Sequence, residues 1–335
     1  MPYEDTRIML HPTKKNKHGY INASNIQIPI NDRLFKYILT QNPLKTTIDD
    51  FYQMIWESDT RIVISFMDKN ESHAEIYWPT KINEKLSIGD FSIRQQSSTI
   101  TKGLTTTILN VKCLSSGEKR IIYHLNFTAF KKDLDGVPAN IETFLSFVDA
   151  VNSFKRHIEN EKMHDGDSGV FIPSLFNSRK NSYSRSRSKS TTRSTFMDVT
   201  NKIRSQSVEQ VEQGNRWKRK FITNPTNQQS TSSNTSEISG ISSTSNSSSG
   251  STSFRTEYLE QQNPIIVHCM DGSSISGLYV LIEVIVHCIE NNVNVEIPKL
   301  LRLLRQQRSS LIKNIHQYKF AYEAILVYLQ RSRLI

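Results

Sequence analysis

Cys269 has the most chemistry to offer in this chain, because of what surrounds it in PIIVHCMDGSSISGLYVLIEV. Pro264–His268 is an apolar run of strand length, and Gly277–Asn291 is dense enough in apolar residues to be a largely buried helix. Between them lies a Gly/Ser-rich stretch, Asp271 to Gly277. A strand, a tight loop and a helix start set successive backbone N–H groups around a concavity, with the positive helix end behind them. That is an anion cradle. A thiol at its lip is expected to have a lowered pKa and to be able to attack a bound electrophile. The other reading is a buried cysteine in a strand-to-helix turn, and spacing alone leaves the two level. Cys113 and Cys288 lie on apolar faces and are expected in the core. Three cysteines make no disulfide framework and suit a reducing compartment.

The elements that must position this loop are spread along the chain. Arg61–Met67 is a continuous apolar run of strand length, whereas Thr105–Cys113 and Arg120–Phe127 alternate with period two. Thr47–Glu57 and Ile141–Ile158 space their apolar residues at three and four, as amphipathic helices do. Ile297–Arg308 and Gln317–Leu329 read as two further helices. One strand followed by three helices has no sheet to join unless it pairs with strands far upstream. The expectation is therefore a single α/β domain, a twisted mixed sheet flanked by helices, formed by residues 1–162 and 263–335.

The segment between them, 163–262, has a different composition. From Asn227 to Ser253, 17 of 27 residues are Ser or Thr, with Ile238 and Ile241 the only aliphatics. Such a stretch buries too little apolar surface to offset an ordering entropy of ~1–2 kcal/mol per residue. Upstream is the alternating Ser/Arg tract SRKNSYSRSRSKSTTRS, and Ser178–Lys220 holds 12 basic against 3 acidic residues. This leaves only +1 of the formal +10 for the rest, so the body is near neutral and nucleic-acid binding is not expected. The segment is expected to be a disordered insertion and a target for kinases. Its Val170-Phe171-Ile172 and Trp217 are candidate docking points. Mean hydropathy is −0.47, no run of ~18 apolar residues offers a membrane span, and MPYEDTRIML lacks a signal-peptide layout.

Six collinear motifs resemble the protein-tyrosine-phosphatase domain. PYEDTRIML is similar to its P-[FY]-D-x-[TS]-R segment, GYINASNI to D-Y-I-N-A-S, and YILTQNPLKTTIDDFYQMIWE to Y-I-A-T-Q-G-P-L…T-x-x-D-F-W-x-M-[VI]-W. EIYWP resembles Y-W-P, DGVP resembles F-G-V-P, and HQYKFAYEAILVYL resembles Q-Y-x-F-x-Y. The resemblance implies a phosphate loop over His268, Cys269, Met270, Asp271, Gly272, Ser273, Ser274, Ile275, Ser276 and Gly277. It implies that Cys269 stands at the nucleophile position, with His268 fixing the loop by hydrogen bonding. It also implies no metal and no cofactor. The family's K-N-R-Y recognition loop would lie before Met1, so the chain is either a fragment or short of that aromatic wall.

The departures from the family decide what function to expect. The signature H-C-x5-R places its arginine where Ile275 stands. A guanidinium there grips two phosphate oxygens and stabilises transition-state charge; isoleucine does neither. Asp271 puts a carboxylate beside the cradle, which repels phosphate and raises the thiol pKa. The general acid aligns to Leu134 counted back from Gly136-Val137-Pro138, or to Lys132 counted forward from Phe127-Thr128-Ala129-Phe130. Asp133 and Asp135 are out of register. The water-positioning Q-T-x-x-Q becomes Lys313-Asn314-Ile315-His316-Gln317, with only Gln317 kept. The pattern H-C-x-D-G-S resembles the membrane-distal domains of some tandem receptor phosphatases.

The expectation is thus a catalytically impaired or inactive phosphatase-family domain. It would act as a regulatory or docking module, with phosphotyrosine proteins or an active phosphatase domain as partners. It would lie in the cytoplasm, either free or as the cytoplasmic part of a plasma-membrane receptor. Two alternatives stand beside it: a weak phosphatase that forms a phosphocysteine on Cys269, and an adaptor working through its phosphorylatable insertion.

Overall fold

In the computed structural model, residues 1–67, 75–130, 136–163 and 263–334 are described. Among them the strands are β1 (Arg7–Met9), β2 (Tyr20–Ile30), β3 (Arg33–Gln41), β4 (Ile62–Ser65), β5 (Lys85–Ile88), β6 (Phe91–Thr101), β7 (Leu104–Cys113), β8 (Lys119–Phe127) and β9 (Ile265–Cys269). The helices are α1 (Ile48–Glu57), α2 (Ile141–Met163), α3 (Ser274–Glu290), α4 (Ile297–Gln307) and α5 (Ile315–Arg331). The strands form one mixed sheet in the order β1-β2-β3-β9-β4-β8-β7-β6-β5.

The centre of this sheet is parallel. β9 runs parallel to β3 on one side and β4 on the other, and β4 runs parallel to β8. All five residues of β9 and all four of β4 are buried. Strands covered on both faces read as unbroken apolar runs, which is why IIVHC and IVIS lack alternation. Val63 and Ile266, with Ile38 of β3, face the core under α1, where Phe51, Tyr52, Met54 and Ile55 pack. On the other face Phe66, Phe127, Phe144, Phe147 and Tyr279 form an aromatic cluster with ring centroids 5.3–6.5 Å apart. The fold is the mixed α/β sheet with helices on both faces that the sequence pattern predicts.

Five strands escaped that pattern: β1, β2, β3, β5 and β6. β2 and β3 form a hairpin closed by Asn31-Asp32, with Ile30 opposite Arg33 and Asn31 at φ 51°. An Asx residue that tolerates the left-handed region is the expected occupant of such a turn. β6 hides its alternation because its inward positions run Phe91, Ile93, Gln95, and Gln95 is buried although polar. The sequence boundary at 162 falls one residue short of the end of α2.

Candidate functional site

The site is built where β9 meets α3. The Cys269 carbonyl accepts from Asn42 N (2.7 Å) and from Gly272 N (3.2 Å), so the chain turns back at once on leaving the strand. Gly272 makes that turn at φ 66°, and a Cβ there would lie 2.4 Å from the Thr40 carbonyl carbon of β3. Only glycine fits. Ser273 then leads into α3, whose Gly277 lies so close to Leu311 that an added Cβ would be 2.9 Å from its Cδ2.

Cys269 is 1 % exposed, and its sulfur meets a carboxylate. Sγ donates to Asp271 Oδ1 at 3.2 Å. The same oxygen accepts from Ser273 N (2.8 Å), Ser274 N (3.0 Å) and Ser274 Oγ (3.0 Å), while Oδ2 pairs with Lys313 Nζ at 2.5 Å. Burial opposes ionisation of Asp271, but Lys313 and the two backbone N–H groups outweigh it and hold the carboxyl well below the usual range. The thiol moves the other way: burial and then the Asp271 charge raise it above the ordinary cysteine value, against the weaker pull of Ser276. The lowered thiol of an open anion cradle is therefore not found, and the upward pull expected of Asp271 is. The Ser276 hydroxyl is buried beside this sulfur, and its side chain and backbone N–H favour the thiolate.

Behind the loop, His268 is fixed at both ring nitrogens. Nδ1 meets Asn42 Oδ1 at 2.7 Å and Nε2 meets the Tyr77 hydroxyl at 2.7 Å, which also reaches His124 Nε2 at 2.8 Å. Burial, and the neighbouring His124, push His268 well below its ordinary value, so the ring is neutral and holds the end of β9 in place. Arg308 braces the loop from outside. Its Nε donates to Gly272 O (2.6 Å), Nη1 to Ser24 Oγ (3.0 Å) and Nη2 to Asn22 Oδ1 (3.0 Å), and the residue is 1 % exposed. Its donors are thus divided between the loop backbone, including Asp271 O at 3.4 Å, and side chains of β2.

The residues singled out from sequence fall into two groups. His268 through Gly277 come together as one loop around Cys269, with Met270 at the rim (65 % exposed) and Ile275 buried (3 % exposed) in the first turn of α3. Gln317 joins them from α5: its Oε1 accepts from Lys313 N (2.9 Å). The Gly136 turn is close by, since a Cβ there, at φ 64°, would lie 2.7 Å from Gln317 Nε2 and 3.4 Å from Ser274 Oγ. A Phe130–Pro138 bridge and an Ala139 N to Ala129 O bond (2.7 Å) close the base of that loop. Leu134, Asp133, Asp135 and Lys132 lie outside the described residues, as do Val170-Phe171-Ile172 and Trp217.

Sequence reasoning missed Arg308, Asn42, Tyr77 and the new partner of Lys313. Arg308 and Lys313 sit in LLRQQRSSLIKN, where charged residues read as a solvated helix end, and nothing local reveals what each reaches. Among the described residues no group of three or more His, Cys, Asp or Glu could hold a metal ion, and no helix is long and apolar enough to cross a membrane.

The chain is similar to known proteins along its whole length. The family model described as Protein-tyrosine phosphatase matches residues 1–172 and 179–327. The chain is 28 % identical to tyrosine-protein phosphatase non-receptor type 14 of Homo sapiens across 100 % of its own length and 21 % of that protein's. It is 28 % identical to tyrosine-protein phosphatase non-receptor type 21 of Rattus norvegicus, again over 100 % of this chain and 21 % of the relative. Against tyrosine-protein phosphatase non-receptor type 13 of Mus musculus it is 32 % identical over 51 % of this chain and 7 % of that protein. The chain spans about a fifth of the length of the first two relatives.

Proposed function

The chain belongs to the protein-tyrosine phosphatase family, and from that premise we propose that it is a catalytically impaired member acting as a regulatory or docking module in phosphotyrosine signalling. The observation that carries this reading is Ile275. It is an apolar side chain, 3 % exposed, in the first turn of α3 where the signature arginine is expected. A phosphoryl group in flight spreads charge over its equatorial oxygens, and loss of one preorganised donor to such charge costs about 3–4 kcal/mol, or 10²–10³ in rate. The raised thiol of Cys269 adds to the deficit, because the thiolate is the nucleophile.

Its partners on this reading are phosphotyrosine proteins or an active phosphatase domain, with kinases acting on the Ser/Arg stretch of 163–262. The relatives it matches carry non-receptor names, which favours a non-receptor setting. The receptor setting rests on the H-C-x-D-G-S resemblance alone. A weak phosphatase working through Cys269 is the competing reading, favoured by retention of the thiol at the end of β9.

One assay separates them. We expect the full chain to hydrolyse an aryl phosphate no faster than its Cys269→Ser variant. Turnover that depends on Cys269 would sink the impaired reading.

A further inference from the structure

In this loop the Asp271 carboxylate receives what a bound oxyanion would receive. One of its oxygens takes two backbone N–H groups, from Ser273 and Ser274, together with the Ser274 hydroxyl and the Cys269 thiol. The other oxygen takes the Lys313 ammonium at 2.5 Å. Lys313 is placed for this, since its backbone N–H is tied to the buried Gln317 side chain at 2.9 Å. The wholly buried Ser276 hydroxyl lies beside the same sulfur. Arg308, the other cation near the loop, spends its donors on Gly272 O, Ser24 and Asn22.

We infer that Cys269–Gly277 forms a latent site for a tetrahedral oxyanion, plugged by the chain's own Asp271, with Lys313 as the cation that serves the site in place of a loop arginine. The inference rests on the reading of this loop as a phosphate loop given above. It goes further by saying why the loop keeps its shape without a ligand. A ring of inward N–H groups with no acceptor would be left unsatisfied in a part-buried site. The carboxylate answers those donors and the lysine neutralises the carboxylate. The same contacts make the native loop refuse phosphate, because an incoming dianion would have to displace a bound carboxylate and meet its charge.

The test uses the full chain and orthovanadate, with binding measured by calorimetry and by protection of Cys269 from iodoacetamide. The wild type should bind weakly or not at all. Asp271→Ser, which removes the plug, should bind at least about tenfold tighter, and adding Lys313→Gln should take most of that gain away. Each step is the size of one charge-assisted hydrogen bond. Asp271→Asn keeps an acceptor for the two N–H groups, so it preserves the loop if the serine variant folds poorly. It should also bind vanadate more tightly than the wild type, with the gain again depending on Lys313. Equal affinity in wild type and both Asp271 variants would show that the carboxylate plugs nothing. Equal affinity with and without Lys313 would show that the lysine is not the cation. Wild-type turnover of aryl phosphate would defeat the impaired-domain reading but leave this comparison of affinities standing.

Discussion

Cys269 and Asp271 share a proton economy that solution chemistry can read. Burial first and the neighbouring carboxylate second raise the thiol, so the thiolate is scarcer at neutral pH than in a free cysteine. Alkylation by iodoacetamide should therefore reach half its maximal rate above the ordinary thiol value of ~8.5. Asp271→Asn removes the charge and should move that midpoint down. The sign matters: the native carboxylate is ionised throughout this range, since its own pKa lies below the usual carboxylate value, so its effect on the thiol is constant from pH 5 to 9. A midpoint near pH 6 in the wild type would mean that a cation reaches the sulfur after all. At this scale the loop's position was legible in the sequence, because an apolar run broken by Asp271-Gly272-Ser273-Ser274 has few other readings. The partners of Asp271 were not, since Lys313 lies 42 positions on and is joined to it only by the fold.

Helices α2 and α3 are locked to β3 by a buried polar contact, on the far side of the sheet from α1. Glu283 of α3 is 1 % exposed; it pairs with Lys155 Nζ of α2 at 2.5 Å and accepts from the Tyr37 hydroxyl of β3. Burial pushes the lysine down to about 7 and the carboxyl up to about 8, so both are driven toward their neutral forms. Removing one member leaves the other in the interior without its partner, which costs about 3 kcal/mol or more. Lys155→Met should therefore destabilise strongly in urea unfolding. Lys155→Met with Glu283→Gln, which retains an acceptor for Tyr37, should lie within about 1 kcal/mol of the wild type. Strict additivity of the two single changes would refute the coupling. No periodicity betrays this contact: Glu283 interrupts an apolar helix, and from sequence it is a blemish on α3 rather than a tie. The polar Gln95 hid β6 in the same way, whereas β4 and β9 were legible because both of their faces are covered.

For the molecule as a whole, we propose that 1–162 and 263–335 act as one discontinuous domain and that 163–262 is dispensable to its fold. Replacing 164–262 by a flexible linker of about 15 residues, with a mean span on the order of 20 Å, tests this. Cooperative unfolding should survive, with a gain of roughly 1–2 kcal/mol from cheaper loop closure. Loss of the cooperative transition would show that the removed segment is structural. The sheet order supports the proposal, because β9 enters between β3 and β4 and completes the hydrogen bonding of both. That placement also has a consequence during biosynthesis. β4 ends at Ser65 and β9 begins at Ile265, so at ~5–20 residues per second a ribosome makes the middle strand about 10–40 s after the strands it joins. For that interval β3 and β4 expose unpaired edges to every other nascent chain and to chaperones. A ribosome stalled near residue 260 should hold a protease-sensitive chain, and one stalled well beyond Ile335 a resistant one. Premature termination anywhere in the long middle segment thus yields a sheet with a missing centre, not a smaller version of this domain.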